Sequence, residues 1–402
     1  MTLTWLVVIG LLTLRPAPAD AEAAARLPWT CLYPCGDMAL RDAILNVALF
    51  LPLGWGLAHW IRPRSAFLAC ALTTVSIEFI QYHWLVGRDA SLRDILTNAT
   101  GGLLGILLAG REAALVLPGP RAARRLLLAG GGAWSLLVLG SAWLVRPTLP
   151  ATVWWGQWAP ELGQFDTWDG QVLAAAVAGL PFPSGRLANS SAFRERLLRD
   201  SALVVARVVA GRPPARLAPV VSMFDSDQRE VMVLGQIGRG VAFRLRTRMR
   251  DVELGDLTAW LPNVPPYQLG DTLTLVGGVE HGAWQLGIVA PGGSAWRRIP
   301  FSAGLLWAGL WPFHPLLGPW VGVLSGLWLG ASVVPVGWWA GRAGDLGVLT
   351  GLVAMVILMA VARGTGLAFP DLAELAGVMI GGTAAGLAGA ASRRHWPAVP
   401  VD

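Results

Sequence analysis

Eight apolar runs, broken in the middle by one long charged block, constrain this chain more than any other feature of its sequence. The runs cover residues 3–14, 43–60, 66–86, 94–110 and 126–145, then 319–341, 346–362 and 372–391. Most are about 17 to 23 residues long, enough for a helix to cross roughly 30 Å of hydrocarbon. Seven read as full spans and the first as a short one, either a cleavable signal or a short first helix. Between them, residues 151–300 hold 15 Arg and 13 acidic residues, half of the 56 charged residues in the 402-residue chain. That block must sit in water.

Composition supports this division. Only 14% of residues are charged and 54% are hydrophobic, against about 25% charged in soluble domains. The 21 Trp suit a protein with many membrane interfaces. Every basic residue is Arg, and the net charge of +6 is scattered, with no basic stripe interleaved with aromatics; a nucleic-acid partner is not expected. The expected organisation is a membrane block of about five spans over residues 1–150, an all-β extracytoplasmic domain over 151–300, and a C-terminal membrane block over 301–402 with about three spans. The Arg distribution gives a modest positive-inside vote for this orientation. Residues 300–317, interrupted by Pro312 and Pro315, read as an interfacial or re-entrant segment.

Ionisable groups cost about 2.5 to 3.5 kcal/mol each in a membrane interior, so each needs a partner or a purpose. The first block has several. Asp42 and Asn46 open the second run one turn apart; Glu78 and Gln81 share a face of the third; Asp94, Asn98, Gly101, Gly102 and Gly105 line one face of the fourth. All fall toward the outer leaflet in the expected orientation, where their faces can meet. Pro52 and Gly54 lie in Phe-Leu-Pro-Leu-Gly, a place for a kink in the second run. Structural glue explains the amides and glycines equally well; Glu78 asks more strongly for a functional account.

These residues resemble the VanZ family over roughly residues 30–110. The likeness rests on Asn46 ahead of Phe50-Leu-Pro52-Leu-Gly54, on Glu78-x-x-Gln81, on Arg88, and on Asp94-x-x-x-Asn98-x-x-Gly101-x-x-x-Gly105. The resemblance implies a bacterial inner-membrane protein of the cell envelope. The family's namesake confers low-level resistance to the glycopeptide teicoplanin, and no enzyme activity is implied. On this reading Asp42, Asn46, Glu78, Gln81, Arg88, Asp94 and Asn98 form a pocket for an amphiphilic or lipid-linked ligand. Pro52, Gly54, Gly101, Gly102 and Gly105 shape it. Two alternatives stand beside it: a membrane-anchored glycan-binding module with a purely structural membrane part, and an intramembrane enzyme on a lipid-linked envelope substrate with Glu78 as general acid/base.

Within residues 151–300, alternating apolar segments separated by turn signals such as Gly238-Arg-Gly240 and Pro291-Gly-Gly read as a β-sandwich. The run from Ser222-Met-Phe-Asp225-Ser-Asp227 to Val233-Leu-Gly-Gln-Ile-Gly-Arg-Gly-Val-Ala-Phe-Arg-Leu-Arg-Thr247 resembles concanavalin A-like, laminin G-type lectin modules. The resemblance implies glycan binding, with Trp154, Trp155, Trp158, Trp168, Trp260 and Trp284 as stacking candidates and Asp225 and Asp227 as candidate Ca²⁺ ligands; core packing and a solvated turn are the plainer explanations. Cys31 and Cys35 lie in an expected outside loop where a disulfide can persist, while a metal site would need ligands not present nearby. No haem, nucleotide or zinc motif appears, and no cofactor is expected.

The last three runs echo the earlier ones. Val334-Pro335-Val-Gly337-Trp338 parallels Leu51-Pro52-Leu-Gly54-Trp55, and Asp371-Leu-Ala-Glu374 through Gly381-Gly382 parallels Ser91-Leu-Arg-Asp94 through Gly101-Gly102. In that alignment Asn46 becomes Leu329, Asn98 becomes Val378, and Glu78 has no counterpart. A degenerate repeat is expected, with any chemistry kept in the first copy.

Overall fold

The structure, a computed structural model, describes residues 2–15, 39–85, 90–163, 165–199, 201–311 and 316–396. Cys31, Cys35 and Arg88 lie outside the described residues. These residues divide into two compact units: one takes in the chain up to Ala123 with Val252–Leu254 and the segment from Ser392, the other Arg124–Asp251 and Gly255–Ala391.

The first unit holds α1 (Thr2–Thr13), α2 (Ala39–Ala58), α3 (Pro63–Trp84), α4 (Leu92–Ala109) and the short α5 (Glu112–Val116). Ile9 of α1 is buried with Phe50, Leu53, Cys70 and Ile77 of α2 and α3, so α1 is built into the block. Pro52 lies inside α2, where it withholds the amide that would bond the carbonyl of Ala48. At the next carbonyl, that of Leu49, the Trp5 indole donates a hydrogen bond of 2.6 Å.

The second unit begins with most of α6 (Pro120–Leu144), continues through thirteen strands and two small helices, α7 (Ser190–Leu197) and α8 (Arg248–Asp251), and ends in α9 (Leu306–Leu310), α10 (Val321–Ala343), α11 (Thr350–Thr365) and α12 (Leu372–His395). Among the described residues, six helices are long and apolar enough to cross a membrane: α2, α3, α6, α10, α12 and the stretch Leu346–Thr365 that contains α11. The apolar runs of the sequence predict seven full spans. The difference is α4, whose 18 residues carry Arg93, Asp94, Thr97 and Asn98.

The strands are β1 (Trp154–Trp158), β2 (Gln171–Val177), β3 (Leu180–Pro181), β4 (Gly185–Arg186), β5 (Ser201–Val209), β6 (Ala218–Asp225), β7 (Glu230–Ile237), β8 (Gly240–Leu245), β9 (Thr258–Leu261), β10 (Thr272–Glu280), β11 (Ala283–Ala290), β12 (Gly293–Pro300) and β13 (Leu316–Leu317). One sheet runs β13-β9-β8-β7-β6-β1-β4 and the other β12-β11-β10-β5-β2-β3. All neighbours are antiparallel except β13 beside β9. The β10–β11 hairpin turns on His281 and Gly282, both at positive φ, as a two-residue loop matched to strand twist requires. The sheets meet face to face: Phe243 of β8 and Leu234 of β7 fill the space where a side chain on Gly277 of β10 would stand.

The segment read as interfacial carries a 3₁₀ turn (Ala303–Leu305), α9 and β13, and most of its described residues are buried within the unit. None of its helices is long enough to cross a bilayer.

Candidate functional site

Close backbone approach assembles the site. A side chain on Gly54 of α2 would collide with the Gly102 carbonyl of α4, one on Gly101 with the Val47 carbonyl, and one on Gly105 with the Leu51 carbonyl. On the third side, a Cβ on Gly102 would come within 2.8 Å of the Cys70 Cβ on α3. Bare glycines thus let three helices converge, and the polar side chains on their facing surfaces come within bonding distance.

Ser91 is the N-cap of α4, its hydroxyl accepting from the Asp94 amide at 3.1 Å. The Ser91 amide in turn donates to Glu78 Oε2 at 2.9 Å. Glu78, only 7% exposed, therefore sits against the positive end of a helix, the place where backbone dipoles favour a carboxylate. From α2, Asn46 donates through Nδ2 to Asp94 Oδ1 at 2.9 Å and to the Thr97 hydroxyl at 3.3 Å. One turn along α3 from Glu78, the Thr74 hydroxyl accepts from Asn98 Nδ2 at 2.9 Å.

Four of the expected residues, Asn46, Glu78, Asp94 and Asn98, thus belong to one polar seam on α2, α3 and α4. Gln81 is buried on the same face of α3 as Glu78, but it donates to the Thr13 carbonyl at the end of α1, satisfying one of the acceptors a helix C-terminus leaves open. Asp42 pairs with its neighbour Arg41 at 3.0 Å and is more than one third exposed. Ser91 and Thr74 are the partners that sequence reading missed. Ser91 was signalled by its Ser-x-x-Asp spacing to Asp94, a helix-start pattern; Thr74 had no such signal.

One atom in the seam stands out. Asn98 is 3% exposed, and its Oδ1 is buried with no hydrogen-bond partner among the described residues. A buried orphan of this kind costs about 1 to 3 kcal/mol, which a ligand with a matching group would recover.

The sandwich offers less. Trp154, Trp168 and Trp284 are buried in its interior and have no face free to stack on a sugar, whereas Trp155, Trp158 and Trp260 are half-buried. Asp225 is fully buried and holds its own turn, Oδ1 accepting from the Asp227 and Arg229 amides at 2.9 and 2.8 Å. The Arg229 guanidinium pairs with both acids. A cation already occupies the place suggested for Ca²⁺, and it belongs to the protein. Elsewhere on the domain, the Arg216 backbone amide and guanidinium hold the Asp166 carboxyl below the usual carboxylate range.

Fold and site together define a multi-pass helical membrane protein with an inserted β-sandwich. Residues 3–113 match the VanZ/LLP1 family model, a stretch that opens in α1 and closes in α5, so the N-terminal block is VanZ-like. The match begins well before residue 30 and takes in α1. Comparison with curated proteins and with solved structures returns no match.

Proposed function

We propose that this is a bacterial cell-envelope protein of the inner membrane whose VanZ-like block engages an amphiphilic or lipid-linked ligand at the polar seam of α2, α3 and α4, and so contributes to tolerance of teicoplanin-like glycopeptides. The observation that carries this reading is the unserved Oδ1 of buried Asn98, whose amide nitrogen bonds Thr74, one turn of α3 from Glu78. A ligand presenting a hydroxyl or an amide meets that need. Glu78 orients the headgroup, Asn46 and Asp94 fix the walls, and Arg88 serves as the anion clamp. The sandwich stands on the extracytoplasmic side, where a lectin role would rest on Trp155, Trp158 and Trp260, and the C-terminal helices are a degenerate repeat of the first block.

The test is a tolerance assay in a host lacking the native gene, with each variant checked for membrane abundance. Glu78→Gln, Arg88→Ala and Asn98→Ala are expected to accumulate normally and lose the phenotype. Full phenotype in all three would leave the membrane part a scaffold. Retention of the phenotype after deletion of residues 151–300 would separate the sandwich from the mechanism.

A further inference from the structure

The second unit contains a groove unrelated to the polar seam. It lies between α6, α10 and the stretch leading into α11, with a volume of about 500 Å³, and its walls include Leu127, Gly131, Gly132, Val336 and Val353. It lies toward the ends of α6 and α10 away from the sandwich, since α6 leads into β1 and α10 follows β13. The lining is apolar in effect as well as in composition. Its two hydroxyls are committed to backbone carbonyls, Ser135 to Gly131 at 2.9 Å and Thr350 to Gly347 at 2.6 Å, and the Trp134 indole donates to Ser332. Gly132 is an exposed part of the lining, and a Cβ there would meet nothing within 4 Å.

One charged residue lines this apolar slot, Arg124, and Arg125 adjoins it on the first turns of α6. Both are exposed, and neither has an ion pair or hydrogen bond to any described residue. An unpaired guanidinium at the end of a membrane-length helix is placed to bind phosphate, and long basic side chains there reach the headgroup level. A slot that accepts hydrocarbon along its length and an anion at one end fits one class of molecule. We propose that the groove holds an acyl chain of an anionic phospholipid, with the phosphate bound by Arg124 and Arg125.

The full-length protein in detergent, stripped of co-purified lipid and titrated with phosphatidylglycerol or with phosphatidylcholine of the same chains, tests this by native mass spectrometry. Wild-type protein is expected to retain one phosphatidylglycerol with about thirtyfold preference over phosphatidylcholine, the scale of two basic side chains acting on one anionic headgroup. Arg124→Ala combined with Arg125→Ala, both at exposed positions, is expected to lose that preference while still holding lipid. Gly132→Leu adds a side chain to the slot's open lining and is expected to lose both lipids, with a melting temperature equal to or above wild type because leucine is the better helix former. Equal retention of the two lipids by wild-type protein, unchanged preference in the double arginine variant, or unchanged lipid retention in a folded Gly132→Leu variant would each overturn the proposal. So would displacement of the lipid by millimolar inorganic phosphate alone, which would make the site one for a free anion.

Discussion

The two three-helix sets, α2–α4 and α10–α12, use the same backbone device for opposite interiors. In the first, Gly54 lies against Gly102 and Gly101 against Val47; at the aligned positions of the second, Gly337 lies against Gly382 and Gly381 against Gly330. Helix starts correspond too. Ser91 caps α4 by accepting from the Asp94 amide, and Asp371 accepts from the Glu374 amide at 2.8 Å. Each set also receives an indole from a preceding helix just ahead of its internal proline: Trp5 donates to the Leu49 carbonyl, and Trp134 donates to Ser332. What differs is the filling. Leu329 and Val378 stand where the first set has Asn46 and Asn98, and they belong to one apolar cluster with Leu358 and Ala354 of α11. Helix packing therefore does not require the polar seam. A set that keeps amides at positions where its counterpart packs Leu329 and Val378 keeps them at a cost in stability, and such a cost asks for a use.

Among the described residues the second set also buries an acid, Glu374, aligned with Asp94. It accepts from the Ser302 hydroxyl and, at 3.3 Å, from the Asp371 amide, which ties the chain leaving the sandwich to the start of α12. Chain order gives a further contrast. In the first set a segment of about 25 residues separates α1 from α2, and in the second the whole sandwich lies between α6 and α10.

The comparison breaks most readily at the shared glycines. Gly54→Leu and Gly337→Leu should each cost at least roughly 3 kcal/mol, because the collision is with backbone and cannot be relieved by a rotamer change. Thermal unfolding in detergent would show it, and tolerance of either variant would end the claim of a common device. Next comes the reverse graft: Leu329→Asn or Val378→Asn buries an amide without partners and should lower stability by about 2 to 3 kcal/mol, measured the same way. Removing the caps is a milder test. Ser91→Ala and Asp371→Ala should each cost about 1 kcal/mol, and a large inequality between them would mean that the two helix starts do different work. The smallest expected stability effect is Asn98→Val, about 0.6 kcal/mol, in line with hydrogen bonds between membrane helices. Its value lies in the second readout, since a near-neutral change in stability with loss of glycopeptide tolerance separates ligand engagement from glue.

Much of this architecture was readable from residue pattern. Short apolar segments between turn signals located β5 to β8, β10 and β11 to within a residue or two; β5 buries alternate residues, while β6 and β7 are buried along nearly their whole length. The Trp-rich β1 escaped because its side chains advertised stacking, and β3, β4 and β13 escaped because two residues carry no period. In the helices, the i, i+3 spacing of Glu78 and Gln81 placed both on one buried face. It did not say that Gln81 would serve α1 while Glu78 served α4, because that choice depends on which neighbour each turn of α3 meets.

The amino-acid order by itself determined that apolar helices would flank a water-exposed β domain, and which polar groups the helices would carry inward. Hydrophobic length and periodicity are local properties, so they are written in consecutive residues. Pairing is a different matter. The Ser91 amide reached Glu78, Asn98 was left with an unserved end, and Trp154, Trp168 and Trp284 turned inward because helices and sheets docked at spacings set by residues far apart in the chain. Those distances exist only once the backbones are in contact.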